Sequence, residues 1–265
     1  MSDLAVELEF ATQVAHAAGQ LVLVHYNTAL AVESKADRSP VTIADRGAEK
    51  LLRERIEREF PSDGILGEEF GARKGTSGRR WILDPVDGTQ SFIRGVPLFG
   101  VMVGLERDGE AVVGVVHFPA LDETVSAARG HGCRWLRSRR RSADPAVPAR
   151  VSRVEKLADS MVSVTSPGGF DAIGQTAAYE RLRAAAALDR AWSDCYGHIL
   201  VATGRIDVMV DPTMNVWDCA ALAPILTEAG GTFTDWNGVA TIHGGNAIST
   251  NGKVLPEVLA ALRAR

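Results

Sequence analysis

The chain has little cysteine, no excess of positive charge and no long apolar run. Its 265 residues include three cysteines, Cys133, Cys195 and Cys219, an odd number with no paired spacing. That speaks against a disulfide framework and predicts a reduced protein of the cytoplasm. The six histidines, His16, His25, His117, His131, His198 and His243, are scattered, with no zinc-type pair among them. Lys and Arg number 29 against 33 Asp and Glu, a net charge of −4. A nucleic-acid surface needs a basic excess, so no nucleic-acid partner is expected. No run approaches the length that spans a bilayer, and Met1–Glu7 carries acids in place of a basic leader. No membrane partner and no secretory signal are therefore expected. What remains is an ordinary globular composition, 46% apolar, long enough to bury a substantial core in one large domain or two fused ones.

The most informative segment is Trp81-Ile-Leu-Asp84-Pro-Val-Asp87-Gly88-Thr89-Gln-Ser-Phe92. An apolar run that stops at Asp-Pro reads as a strand feeding a tight turn. Two acids at such a turn repel each other unless a cation sits between them. Hard cations such as Mg²⁺ take oxygen ligands, and Gly-Thr after the acids offers backbone N–H groups for phosphate. The segment points to metal-assisted chemistry on a phosphate ester.

Helical spacing runs from about 4 to 26, and a second helix starts near Thr42, where Thr42 and Asp45 form a capping pattern, and ends at Pro61. Strand-like runs at 64–67, 80–84, 100–105, 111–118 and 123–128, split by glycine turns, predict an antiparallel meander. Segment 134–150 is basic and proline-bearing and reads as a solvated loop between lobes. Beyond it strands (161–165, 206–210) alternate with helices (174–187, 196–202, 219–229), an α/β pattern. We expect two lobes: residues 1–145, with the antiparallel sheet and most metal ligands, and 146–265, supplying Asp218 and the substrate-recognition residues.

Four segments carry acids able to converge. Asp45 alone reads as a charge favoured by the helix dipole, and Glu68 and Glu69 alone read as a surface turn. Asp218, at the start of an apolar helix, alone reads as a cap. Asp84 and Asp87 are harder to dismiss because their flanks are apolar. Only the conjunction favours a site. Asp-x-x-Asp is one residue longer than the Asp-x-Asp of haloacid-dehalogenase-type phosphatases, which weighs against an aspartyl-phosphate intermediate.

Asp84-Pro-Val-Asp87-Gly-Thr89, with Gly67-Glu68-Glu69, Lys35–Asp45 and Trp217-Asp218-Cys-Ala-Ala…Glu228-Ala-Gly-Gly231, resembles the inositol monophosphatase family, block by block and in order. The resemblance implies an α/β (α+β) fold, the layered αβαβα sandwich of the inositol monophosphatase and fructose-1,6-bisphosphatase type. It implies Mg²⁺-dependent phosphomonoester hydrolysis with two or three ions per subunit, direct attack by an activated water, and a homodimer. Carried over by position, Glu68, Asp84 and the Val86 carbonyl would hold one ion, and Asp84, Asp87 and Asp218 a second. Glu68 would touch a weaker third. Asp45 and Thr89 would activate the water, and the N–H groups of Gly88 and Thr89 would grip phosphate.

Ser91-Phe-Ile-Arg94-Gly-Val-Pro97 and Arg190-Ala-Trp-Ser-Asp194-Cys-Tyr-Gly-His198 resemble the histidinol-phosphate phosphatase subgroup, whose reaction belongs to histidine biosynthesis. Gln90 and Ser193 depart from the common pattern at positions that hold no metal. By position Asp194 and Asp211 would face the leaving group, and an acid there favours the cationic histidinol. Asp194 also reads as a helix cap. Arg190 reads either as a phosphate ligand or as a partner of Asp194, Arg94 as a dimer contact, and His198 as a packed or surface residue. Two alternatives stay open: the same machinery on inositol 1-phosphate or a sugar phosphate, and a non-catalytic binding or assembly protein of the same fold.

Overall fold

The computed structural model describes residues 4–29, 31–34, 40–137, 146–192 and 194–263. The Lys35–Ser39 part of the N-terminal block, 138–145 of the basic segment and Ser193 lie outside them.

Helix α1 (Ala5–His25) buries Ala11, Ala15, Ala18 and Val22 at helical spacing. A short hairpin, β1 (Glu33–Ser34) with β2 (Pro40–Val41), leads to α2 (Ile43–Glu59). Thr42 caps α2, its Oγ1 accepting from Ala44 N at 3.1 Å while the Asp45 carboxylate accepts from Thr42 N at 2.9 Å. Ala48, Leu52 and Ile56 are fully buried along one face of the helix, and a Leu or Ile so buried contributes about 1.5–3 kcal/mol. Strands β3 (Gly64–Gly67), β4 (Gly71–Arg73) and β5 (Arg79–Asp87), the short α3 (Thr89–Phe92), then β6 (Gly100–Arg107), β7 (Glu110–Phe118), β8 (Glu123–Ala128), β9 (Gly132–Leu136) and β10 (Ala146–Pro148) follow. They form an eight-stranded sheet in the order β10-β9-β8-β7-β6-β5-β3-β4.

From β5 to β8 this sheet is the expected antiparallel meander; β9 and β10 extend it into 134–136 and 146–148, where a loop was expected, because those residues pair across the sheet edge, and β3 pairs with β5 in parallel, Gly67 beside Leu83. The hairpin β3–β4 accounts for the difference: β4 takes the sheet edge, and the chain returns to start β5 on the far side of β3. Parallel pairing brings both strand ends to one rim, where Glu68 N donates to Leu83 O at 3.2 Å. Glu68 thus sits next to Asp84, which an antiparallel pair would have placed at opposite ends.

The second half holds a 3₁₀ turn at Leu157–Asp159, β11 (Met161–Ser163), α4 (Pro167–Ala172), α5 (Thr176–Ala185), β12 (Leu188–Arg190), α6 (Asp194–Ala202) and β13 (Val208–Asp211). It continues with α7 (Val216–Ala220), α8 (Leu222–Glu228), β14 (Thr232–Thr234), β15 (Ala247–Thr250) and α9 (Leu255–Arg263). The helix expected at 219–229 is two helices meeting at Ala221, the first starting earlier, at Val216. Its sheet is mixed, in the order β12-β11-β13-β15-β14. Three apolar clusters fill the four interfaces between five layers. One lies between α1/α2 and the large sheet, one covers both sides of α6–α8, against the large sheet and against the small sheet, and one lies between the small sheet and α5/α9. This is an αβαβα sandwich. The middle helices approach very closely: a Cβ at Gly114 of β7 would lie 2.0 Å from the Ala221 carbonyl, so only glycine fits. That contact seats the helix pair carrying Asp218 on the sheet carrying Asp84.

Candidate active site

Asp84 lies within the buried run Trp81–Val86 of β5 and is 2% exposed, with Oδ1 accepting from Val86 N at 3.0 Å. A register shift between Asp84 and Asp87 breaks the β5–β6 ladder there and turns both acids to one rim. Asp87 Oδ2 accepts from Cys195 N at 2.6 Å, the start of α6. Asp218 is the third residue of α7, and its Oδ2 closes a capping box by accepting from Asn215 N at 2.6 Å. One carboxylate oxygen from each of Asp84, Asp87 and Asp218 falls within 4.8 Å of the others.

Like charges about 4 Å apart repel by about 4 kcal/mol at the effective dielectric of a partly buried site. The acids respond accordingly. Burial, then the charges of Glu68, Asp87 and Asp218, push the Asp84 carboxyl far up. Burial, then Asp194 and Asp218, do the same to Asp87 against the pull of its Cys195 bonds. Burial raises Asp218 to about 7, even though the Asn215 N–H favours its charged form. Either protons or a cation must settle such a cluster. Burial and the Asp87 charge push the Cys195 thiol well up, and burial does the same at Cys219. The donors on offer are therefore oxygen, the set that suits a hard divalent ion.

Around this cluster stand the other residues singled out by sequence. Glu68 follows β3 at the same rim, close enough to raise Asp84 and Asp218 by its charge. The Val86 carbonyl accepts from Thr89 Oγ1 at 3.0 Å, and the same hydroxyl is 3.5 Å from Asp45 Oδ1. Asp45 is 1% exposed, its Oδ2 held by Thr42 Oγ1 at 2.6 Å and Thr42 N. Gly88 precedes α3 at φ +83°, and a Cβ there would come within 2.8 Å of Leu98 O. Glycine is required, and the amides of Gly88 and Thr89 fall before the first intrahelical bond.

A cleft of about 140 Å³ adjoins the cluster, walled by Asp87, Thr165, Asp194, Cys195, Asp211, Met214 and Asp218 among others. Asp211, at the end of β13, receives Thr165 N and Thr165 Oγ1, each at 2.9 Å, and His198 Nε2 at 3.1 Å. Arg190 is not part of the wall. It lies exposed on the edge strand β12, with Nη1 donating to its neighbour Asp189 O at 2.7 Å. Arg94 is exposed and binds back to Gln90 O at 3.1 Å.

Two contributors escaped sequence reasoning. Thr165 joins Asp211 to the amide of Asp194, which donates to Thr165 Oγ1 at 2.8 Å. Its signal was only a hydroxyl at the end of a strand-like run. Glu49 is fully buried and accepts from Glu69 N at 2.7 Å and Phe70 N at 3.2 Å, fixing the loop that carries Glu68. A glutamate on the apolar side of α2 was the available clue.

Fold and cluster together define a class, a layered α/β hydrolase whose clustered acids suit metal-assisted phosphate chemistry. A description of the inositol monophosphatase family matches residues 3–265. The chain is 43% identical over 258 residues to a histidinol-phosphatase of Chlorobaculum parvum, covering 97% of this chain and 96% of that one. It is 40% identical to a histidinol-phosphatase of Mycobacterium tuberculosis, covering 97% and 98%. The solved structure of the extragenic suppressor protein suhB from Bartonella henselae superposes with a TM-score of 0.88 at 29% identity, over 98% and 99% of the two chains. The chain belongs to the inositol monophosphatase family and is a metal-dependent phosphomonoesterase.

Proposed function

We propose that the chain hydrolyses L-histidinol phosphate to L-histidinol and phosphate, using Mg²⁺. The observation that carries this reading is the charge of the cleft. Beyond the clustered acids its wall adds Asp194 and Asp211, and no Lys or Arg belongs to it among the described residues. A leaving group with an ammonium and an imidazole suits such a wall, whereas the neutral hydroxyls of inositol make no use of its charge. Near-full-length similarity to proteins named histidinol-phosphatase supports it.

The oxygen-only donor set fits Mg²⁺, which Glu68, Asp84, the Val86 carbonyl, Asp87 and Asp218 would hold. Such ions, two or three per subunit, would neutralise phosphate charge and make water more acidic. Gly88 and Thr89 amides orient the phosphate at the start of α3. Thr89 Oγ1, which donates to Val86 O, would turn its proton toward Asp45 Oδ1 across the 3.5 Å gap, so that the hydroxyl can pass that proton on while its oxygen takes one from the attacking water. The proton passes along this pair to Asp45, whose other oxygen stays committed to the Thr42 cap. Water attacks phosphorus directly, in line with the leaving oxygen. Asp194 and Asp211 receive the cationic leaving group. We further infer a homodimer in the cytoplasm, for which sedimentation velocity and cell fractionation are the direct measurements.

The test is kcat/KM for L-histidinol phosphate, inositol 1-phosphate and fructose 1,6-bisphosphate, side by side with Mg²⁺. Histidinol phosphate should lead by at least tenfold. An equal or higher value for inositol phosphate would overturn the substrate assignment. Absence of turnover on every ester would favour a binding role.

A further inference from the structure

Behind the cleft a line of hydrogen bonds crosses several elements and ends at Asp194. His198 is fully buried in α6. Its Nδ1 is 2.7 Å from Ser249 Oγ on β15, and its Nε2 is 3.1 Å from Asp211 Oδ2 on β13. Asp211 Oδ2 also accepts from Thr165 Oγ1, and the same threonine oxygen accepts the Asp194 amide at 2.8 Å.

Proton assignments give the line one direction. A carboxylate only accepts, so His198 Nε2 and Thr165 Oγ1 each present a proton to Asp211. Thr165 has a single hydroxyl proton, so its oxygen faces the Asp194 N–H as an acceptor. With the ring proton on Nε2, Nδ1 accepts from the Ser249 hydroxyl. Every contact is satisfied without conflict. Three of about four lone-pair sites on Asp211 are thereby taken by the protein, leaving little freedom for it to reorient.

The end of the line is the one conformationally demanding residue. Asp194 adopts φ +56°, in the left-handed region that aspartate enters more readily than most residues. The Thr165 bond holds its amide in that pose. Its carboxylate lies in the cleft wall beside the Gly88 turn: a Cβ on Gly88 would come within 3.2 Å of Asp194 Oδ2. A histidine kept only for packing has no need of two directed partners, since a leucine would fill the space.

We propose that His198 is a positioning residue for substrate selection: through Asp211 and Thr165 it holds the Asp194 carboxylate where the leaving group meets it. This rests on the reading of the cleft given above. The measurement is the ratio of kcat/KM for L-histidinol phosphate to that for p-nitrophenyl phosphate. Both values come from one preparation, so any loss of folded enzyme cancels. His198→Leu should lower the ratio about tenfold, the loss of one hydrogen bond to a charged group. His198→Gln, which keeps a donor near Nε2, should restore most of it. In an Asp194→Ala background His198→Leu should lower the ratio by much less than it does alone, because coupled residues are not additive. An unchanged ratio in His198→Leu, equal ratios for the Leu and Gln variants, or the full single-variant fall repeated in the double variant would each overturn the proposal. If His198→Leu does not fold, Ser249→Ala, which removes the far end of the line, is read by the same criteria. If the wild type does not prefer histidinol phosphate, the substrate reading fails. The line is then tested on the ratio for whichever ester the wild type prefers, with the same outcomes.

Discussion

Two groups of acids share one cleft and are built in opposite ways. Asp84, Asp87 and Asp218 face one another, and burial first, then the charge of neighbouring acids, Glu68 among them, pushes all three up. Asp211, in the same cleft wall as Asp87 and Asp218, receives three donors from Thr165 and His198. The first group has an electrostatic deficit that only protons or a cation offset. The second is compensated by the protein itself, so its geometry exists before anything binds. The former is suited to recruit a metal ion and the latter to recognise a shape and a charge.

The sharpest way to break this contrast is Asp84→Asn. Asp84 stands in the middle of the cluster, and an amide lacks the charge to serve two cations. Turnover should be abolished with the fold intact, and the metal-free protein should melt higher because one repelling charge is gone. Mg²⁺-dependent activity near wild type, with an unchanged melting curve, would remove the proposed centre.

Thr89→Ala comes next. It deletes the hydroxyl between Val86 O and Asp45 and should lower kcat by about 10²–10⁴, the range for general-base assistance, while Mg²⁺ affinity changes little. Recovery of a phosphorylated aspartate during turnover would contradict direct attack by water.

On the compensated side, Asp194→Ala should reduce kcat/KM for histidinol phosphate by about ten- to a hundredfold, and for a neutral phosphate ester far less. Equal losses on both esters, together with a lowered melting temperature, would make Asp194 a helix cap and nothing more.

The smallest effect is one of pH on stability. Asp218 titrates near 7 in the fold and near 3.8 when unfolded, so ionising it opposes folding. Its contribution is most favourable below 3.8 and is lost as pH rises toward 7, and Asp84 and Asp87 extend that loss upward. His117 acts oppositely. Burial lowers it from 6.5 to about 3, so its protonation favours the unfolded chain as pH falls through that window. Between pH 8 and 6.5 the acids of the cluster favour the lower pH, and the onset of His117 protonation in the unfolded chain offsets part of that gain. The chelator-treated protein should therefore melt a few degrees higher at pH 6.5 than at pH 8, for roughly 1 kcal/mol, and saturating Mg²⁺ should abolish the difference. The same slope with and without Mg²⁺ would mean that the cluster does not hold the ion.

The two groups also differed in how far they could be read along the chain. Asp84 and Asp87 announced themselves because three residues of local sequence carry both acids out of an apolar run. The cap at Thr42 and Asp45 was legible for the same reason: a helix start is a local event. The meander from β5 to β8 followed from alternating runs and glycine turns. The parallel pairing of β3 with β5 did not, since an apolar run does not name its neighbour or the direction of pairing. Arg190 reads from its motif either as a phosphate ligand or as a partner of Asp194, and its place on an edge strand, outside the cleft wall, is set by sheet order that the motif does not carry.

By itself, then, the sequence determined the clustered acids, the glycine turn that follows them, the helix caps and, through the order of its motifs, the family. Each depends on residues close together in the chain, where spacing and backbone chemistry suffice. The tertiary structure alone decided that Glu68 stands beside Asp84, that Glu49 holds its loop, and that His198, Asp211 and Thr165 form one line ending at Asp194. Those contacts join residues 13 to 51 positions apart within the line, and 20 where Glu49 meets Glu69. They exist only once two sheets and the helices between them have packed, because close packing across layers, not spacing along the chain, chooses which buried groups meet.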